Sequence, residues 1–212
     1  MVLLGLAALV LAGCMATSYG PYTEAPAESS FPERRVAFQV DRTFHRDPPS
    51  CATILPLRRA PSARLAATIE RALARHLSQR LPRVIGPPER RRRERRLAVD
   101  LSHPEDRRAF ARAADCPAFV QGTLYQASDD YAVVWARRGF GLQVTMTRAG
   151  DETVLWQARH LAMRADGGVP LSAVSAALAG FNAARFHADT DMEESLADDV
   201  VRRIAASLPD VR

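Results

Sequence analysis

The sequence predicts an α+β domain: one mixed sheet ending in an antiparallel meander, with helices packed on it. Three observations carry the prediction. Residues 63–81 repeat apolar positions at three- and four-residue spacing, the period of an amphipathic helix. Residues 118–163 hold three stretches of strand-forming residues joined by short polar turns, the pattern of a meander. A short apolar run, Cys51–Leu57 (CATILPL), precedes the first helix and reads as a buried strand.

Arg35–Arg42 (RVAFQVDR) reads as a short edge strand or a segment lying along the domain. Pro61-Ser62 opens the long helix, with Ser62 as its cap. Leu65, Ala66, Ile69, Leu73, Leu77 and Leu81 form its apolar stripe. Arg64, Glu70, Arg71, Arg75 and Gln79 fill its other side. Pro82 stops it, and 83–86 (RVIG) reads as a brief strand. Glu89–Arg96 is a charge run with six arginines, read as a solvated loop or helix start. Pro104–Ala114 (PEDRRAFARAA) is a second helix, with Ser102 as its cap and acidic residues in its first turn.

The meander follows. Ala118–Ala127 reads as its first strand, Ser128-Asp129-Asp130 as a turn, and Tyr131–Trp135 as renewed strand. Arg137-Arg138-Gly139 reads as a break or bulge, Phe140–Thr147 as the next strand and Thr153–Met163 as the last. Leu142, Val144 and Met146 alternate with Gln143, Thr145 and Thr147, so one face is expected buried and the other wetter. Leu171–Arg185 is Ala-rich and helical in character. Asp189–Leu208 is a final helix, acidic early and basic late.

The N-terminus has a different character. Met1–Cys14 (MVLLGLAALVLAGC) is an unbroken apolar run, shorter than the roughly 20 residues a membrane-crossing helix needs. It has the length of a signal-peptide core, with small residues ahead of Cys14. Leu-Ala-Gly-Cys resembles the lipobox of bacterial lipoproteins, which implies cleavage before Cys14 and lipidation of its thiol. Only the Met1 amine supplies charge ahead of the core, so a true start upstream is expected. Residues 1–13 are assigned to the signal peptide, 14–49 to the lipidated Cys14 and a flexible tether, and 50–212 to a single domain. Met15 in place of Asp resembles the outer-membrane sorting pattern of enteric lipoproteins. The expected address is therefore the periplasmic face of the outer membrane.

Composition narrows the function classes. Of 212 residues, 47% are hydrophobic and 25% charged, which are globular values. All 29 basic residues are Arg, and the net charge of +5 is concentrated in residues 90–96. Arg90, Arg91, Arg92, Arg93, Arg95 and Arg96 form a candidate patch for an anionic polymer or lipid. No aromatics interleave with them for base stacking, so nucleic acid is not an expected partner. With Cys14 lipidated, Cys51 and Cys116 remain, and two readings stay open: a disulfide or two buried thiols.

Catalytic signals are sparse. His45, His76, His103, His160 and His187 show no ligand spacing, and no metal site or cofactor is expected. Ser172 and Ser175 lack a nucleophile elbow, and Asp166-Gly167-Gly168 lacks a phosphate-loop Lys. Asp189, Asp191, Glu193 and Glu194 read as capping and surface residues. Trp135 and Trp156 read as packing residues of the meander, with a sugar-stacking platform as the sharper alternative. The chain is not expected to be an enzyme.

Three short motifs carry a resemblance: Ile54–Leu57 before a long helix, Ala114-Asp115 followed by Gly122-Thr123, and Gly150–Trp156 (GDETVLW) closing a strand pair. Together they resemble a group of bacterial envelope lipoproteins. The group includes the curli-secretion channel lipoprotein, the Pel-polysaccharide export lipoprotein, the amino-terminal domain of TolB and neisserial-type surface lipoproteins. The resemblance implies a lipid-anchored, non-catalytic accessory or scaffold protein of an export or transport assembly. Its implied partners are the membrane, other envelope proteins and copies of itself. Extended alternating segments like the curli channel's membrane-spanning hairpins are not read in this chain. In the group's plan Cys51 and Cys116 begin neighbouring parallel strands, where the two thiols can bridge.

Overall fold

A computed structural model describes residues 18–21, 35–132, 135–167 and 190–212. Seven strands form one mixed sheet. In chain order they are β1 (Ser18–Pro21), β2 (Arg35–Val40), β3 (Cys51–Ile54), β4 (Arg83–Ile85), β5 (Ala118–Ala132), β6 (Trp135–Arg148) and β7 (Val154–Gly167). Their order across the sheet is β1-β2-β7-β6-β5-β3-β4. β3 runs parallel to β4 and β5, β1 runs parallel to β2, and the other neighbouring pairs are antiparallel. The helices are α1 (Arg42–Arg46), α2 (Ala63–Leu77), α3 (Pro87–Leu97), α4 (Pro104–Ala114) and α5 (Thr190–Ala205).

Two apolar clusters divide the interior. In the larger, Leu65, Ile69, Leu73 and Leu77 of α2 and Leu196, Val200 and Ile204 of α5 pack with Ile54, Val120, Val144 and Trp156 of the sheet. The smaller joins Phe110 and Ala114 of α4 to Cys51, Cys116, Ile85 and Phe119. Leu142, Val144 and Met146 are fully buried while Gln143, Thr145 and Thr147 are half-buried, the expected alternation.

Ser62 caps α2 as expected, its Oγ accepting from the Leu65 N–H at 3.1 Å. Ser102 does not cap α4. His103 holds that position without a side-chain cap bond, and Asp106 instead accepts from the Asp100 N–H at 2.8 Å. The short motifs have structural reasons. Past Ile54 the chain stays on β5: the Leu55 N–H donates to Val120 O and the Arg58 N–H to Gly122 O. A Cβ at Gly122 would lie 2.6 Å from Leu57 Cδ1, so any larger residue there makes the Leu57 side chain shift. Leu155 and Trp156, which end the GDETVLW stretch, are buried.

Three sequence expectations are corrected. Residues 35–49 are not tether: β2 pairs with β7, and Val36 and Phe44 are fully buried. β1 lies inside the remaining expected tether, on the open edge of β2. Ser128-Asp129-Asp130 is no turn and Arg137-Arg138-Gly139 no break, because past an irregularity at Tyr125 β5 and β6 pair without interruption from Gln126 and Gly141 to Ala132 and Trp135. The register sets Asp129 opposite Arg138 and Asp130 opposite Arg137. The strands are therefore longer than read, and β5 at fifteen residues spans about 50 Å at 3.3 Å per residue. Leu171–Arg185 lies outside the described residues.

Candidate functional site

Cys14, the expected lipidation residue, and the expected signal peptide lie outside the described residues, as do His187, Ser172 and Ser175. So do the side chains of Trp135, Asp191 and Glu193. What the structure brings together is the corner where β3, β4, α3 and α4 meet. The two remaining cysteines and the arginine run both sit there.

Cys116 follows the C-terminus of α4. That helix ends at Asp115 in the left-handed region (φ 48°), which a short polar side chain tolerates. The chain then reverses into β5, beside β3. Cys51 and Cys116 are joined by a disulfide with Cα atoms 4.8 Å apart. Both are 1% exposed, and the Thr53 hydroxyl donates to Cys116 Sγ at 3.3 Å.

The arginine run forms α3. Gly86 is its extended N-cap, and Pro87 and Pro88 fill first-turn positions that have no intrahelical N–H partner in any case. Glu89 stands in the first turn and Arg95 and Arg96 in the last, which suits the dipole. Like charges at i,i+4 oppose the helix by about 0.2–0.5 kcal/mol per pair, and Arg91–Arg95 and Arg92–Arg96 are such pairs. Glu89 offsets part of this through Arg93, whose Nε donates to it at 2.9 Å.

Arg90 does not belong to a surface patch. It is 4% exposed, with Nη1 donating to Ile54 O at 2.6 Å and Nη2 to Glu70 Oε2 at 3.3 Å. Glu70, read from sequence as part of the outer side of α2, is 6% exposed. Its Oε1 accepts from the Leu57 N–H at 2.9 Å. Glu94 Oε1 is 3.7 Å from Arg90 Nε. One buried ion pair thus ties α3, α2 and the segment after β3. Arg91, Arg92, Arg95 and Arg96 remain exposed, while Arg93 is half-buried against Glu89.

The other candidate residues have structural partners. Trp156 is fully buried, its Nε1 donating to Ser207 Oγ at 3.2 Å, so it offers no sugar platform. His76 Nε2 lies 2.8 Å from Asp198 Oδ1 and joins α2 to α5. Burial pushes the Asp198 carboxyl up, but hydrogen bonds from His76 and Arg75 outweigh it and hold it below its ordinary value. Glu194 pairs with Arg64 at 2.9 Å. Among the described residues no group of three His, Cys, Asp or Glu is placed to hold a metal ion, and no helix is long and apolar enough to cross a membrane.

No family model matches this sequence, and no curated protein matches it at a significant level. Solved structures similar to it include the PelC dodecamer of Paraburkholderia phytofirmans. That match has 13% identity over 80% of this chain and 96% of that one, with a TM-score of 0.45. The lipoprotein GNA1162 of Neisseria meningitidis is 12% identical over 61% of this chain and 92% of that one, at TM-score 0.46. A lipoprotein of Caulobacter crescentus is 10% identical over 75% and 87%, at 0.37. These neighbours fall in the envelope-lipoprotein group that the short motifs resemble. With TM-scores below 0.5, function has to come from this chain's own residues.

Proposed function

We propose that the chain is a lipid-anchored, non-catalytic accessory protein of a bacterial envelope assembly, held by Cys14 to the periplasmic face of the outer membrane. The observation that carries the reading is the apolar run ending in Leu11-Ala12-Gly13-Cys14. Several acyl chains on one cysteine make attachment lasting, each buried methylene contributing about 0.8 kcal/mol. The sheet adds a geometric consequence. Ser18 pairs with Arg35 only four residues beyond Cys14, and four residues reach at most about 14 Å. An anchor at Cys14 therefore keeps the β1 edge against the bilayer, and the domain acts close to the membrane through contacts with envelope proteins or copies of itself. Replacing Cys14 with Ser should release the protein from membranes and abolish radiolabelled palmitate incorporation. Retention in the membrane pellet would refute the anchor.

A second reading, a binding module for an anionic polymer, has support in α3. Arg91, Arg92, Arg95 and Arg96 recur at one- and four-residue spacing and are exposed. α3 begins just after β4, the edge strand opposite β1. Seven strands at about 4.8 Å spacing put these edges about 29 Å apart. An anchor on the β1 edge leaves the arginine helix able to meet a polymer beyond the headgroups of its own leaflet. Co-sedimentation with a polyanion that weakens as salt rises, and is lost on changing these four arginines to Ser, would favour this module.

A further inference from the structure

A groove of about 560 Å³ opens where the end of α4, the Cys116-Pro117 turn and the β6–β7 turn converge. Its floor is apolar, built by Ala111, Cys116 and Ala149, each 8% exposed or less. Arg108, Arg112 and Arg148 also line it, with Asp115 the single carboxylate among the lining residues. Arg148 is held from outside by Asp47 at 3.1 Å. Arg108 and Arg112, one turn apart on α4, are exposed and have no hydrogen-bond or ion-pair partner among the described residues. The helix end does not cancel this charge with bare carbonyls. Ala111 O accepts from Cys116 N–H, Arg112 O from Asp115 N–H and Ala114 O from Arg83 Nη1.

We infer that this groove binds an anionic amphiphile: one phosphate or carboxylate head paired with Arg108 and Arg112, with an attached alkyl or similar apolar group on the Ala111–Ala149 floor. A concave, mostly apolar site with a few convergent charges is the usual make-up of a small-molecule site. Its volume is within the usual range of such sites. Guanidinium pairs recognise planar or tetrahedral oxyanions through parallel N–H bonds. An inorganic anion would leave the floor unused, and a neutral amphiphile would leave the guanidiniums unpaired. The site is separate from the exposed face of α3 and does not depend on the Cys14 anchor.

The test is calorimetric titration of the full chain with monohexyl phosphate, with inorganic phosphate and with hexyl glucoside. Monohexyl phosphate should bind at one site per chain, and each of the other two at least tenfold more weakly. Arg108→Ser with Arg112→Ser should weaken it a further tenfold or more, while both side chains are exposed and the fold should be unaffected. A Cβ at Gly150 meets nothing within 4 Å, so Gly150→Phe can fill the groove mouth and should also abolish binding. Changing Arg91, Arg92, Arg95 and Arg96 together to Ser should leave the affinity unchanged. Equal affinity for inorganic phosphate or for the glucoside would overturn the inference. So would absence of binding, or loss of binding only in the α3 variant.

Discussion

The buried pair of Glu70 and Arg90 gives the sharpest prediction about how this domain holds together. Glu70→Gln keeps an acceptor for the Leu57 N–H, now 2.9 Å from Oε1, and removes only the charge. It leaves the Arg90 guanidinium, 4% exposed, facing a neutral amide. Removing one partner of a buried ion pair costs about 3–5 kcal/mol, and the retained acceptor sets the expectation at the lower end, about 3 kcal/mol. For a domain of this size that is a fall in Tm of about 6–12 °C. Arg90→Met leaves Glu70 as the uncompensated charge and the Ile54 carbonyl without its donor, which carries a cost of its own of about 1–3 kcal/mol. The double variant should be less destabilised than the sum of the singles by about 2 kcal/mol, because neither charge is then stranded. Urea unfolding with the disulfide intact, followed through the fluorescence of buried Trp156, measures all three. A loss below about 1 kcal/mol in Glu70→Gln would mean that Glu94, 3.7 Å from Arg90 Nε, takes over the pairing. Additivity within about 0.5 kcal/mol would equally refute the coupling.

Three further outcomes are expected. Alkylation without reductant should label neither Cys51 nor Cys116, and reduction should lower stability by about 4 kcal/mol, the chain-entropy value for a loop of this length; labelling of both thiols would contradict the bond. Gly122→Ala should cost about 1 kcal/mol, the low end for overpacking because the half-buried Leu57 side chain can shift, and combining it with Leu57→Ala should recover part of that loss in thermal melts. Asp198 and Asp199 both titrate below the ordinary 3.8 in the folded chain. A carboxyl lowered on folding adds stability above its unfolded-state value and loses it as pH falls through the folded one. Stability should therefore decline below about pH 4, and Asp198→Asn should flatten that acid limb in unfolding measured from pH 2 to 7.

Much of the fold is legible in the sequence because its elements carry strong local patterns. The four-residue recurrence of Leu65, Ile69, Leu73 and Leu77 and the alternation from Leu142 to Thr147 are direct records of burial. What escaped was non-local. Arg35–Arg42 is readable as a strand, but its place is not: β2 lies between β1 and β7 rather than at an edge, and Val36 and Phe44 are buried there. Ser128–Asp130 has turn composition, and the partners that extend the strand arrive from residues 137–139. At the arginine run, sequence gives the charge but not its division. Arg90 and Arg91 are neighbours of one type, yet helical geometry points one at Ile54 O and Glu70 and the other at solvent. A carboxylate placed next to Ile69 on an apolar stripe was the available signal for Glu70. The groove was not foreseen, since Arg108, Arg112 and Arg148 come from two elements separated by a strand.

The disulfide has a topological consequence. It joins the start of β3 to the end of α4 across 65 positions, and the segment so enclosed contains α2, β4, α3 and α4. That segment is a closed covalent ring. The exposed arginines of α3 are the natural points of attack for a trypsin-like protease, and they lie inside it. A single cut there opens the ring without releasing a fragment: the N-terminal portion stays bonded to the meander and α5. The chain would keep both of its ends after such a nick.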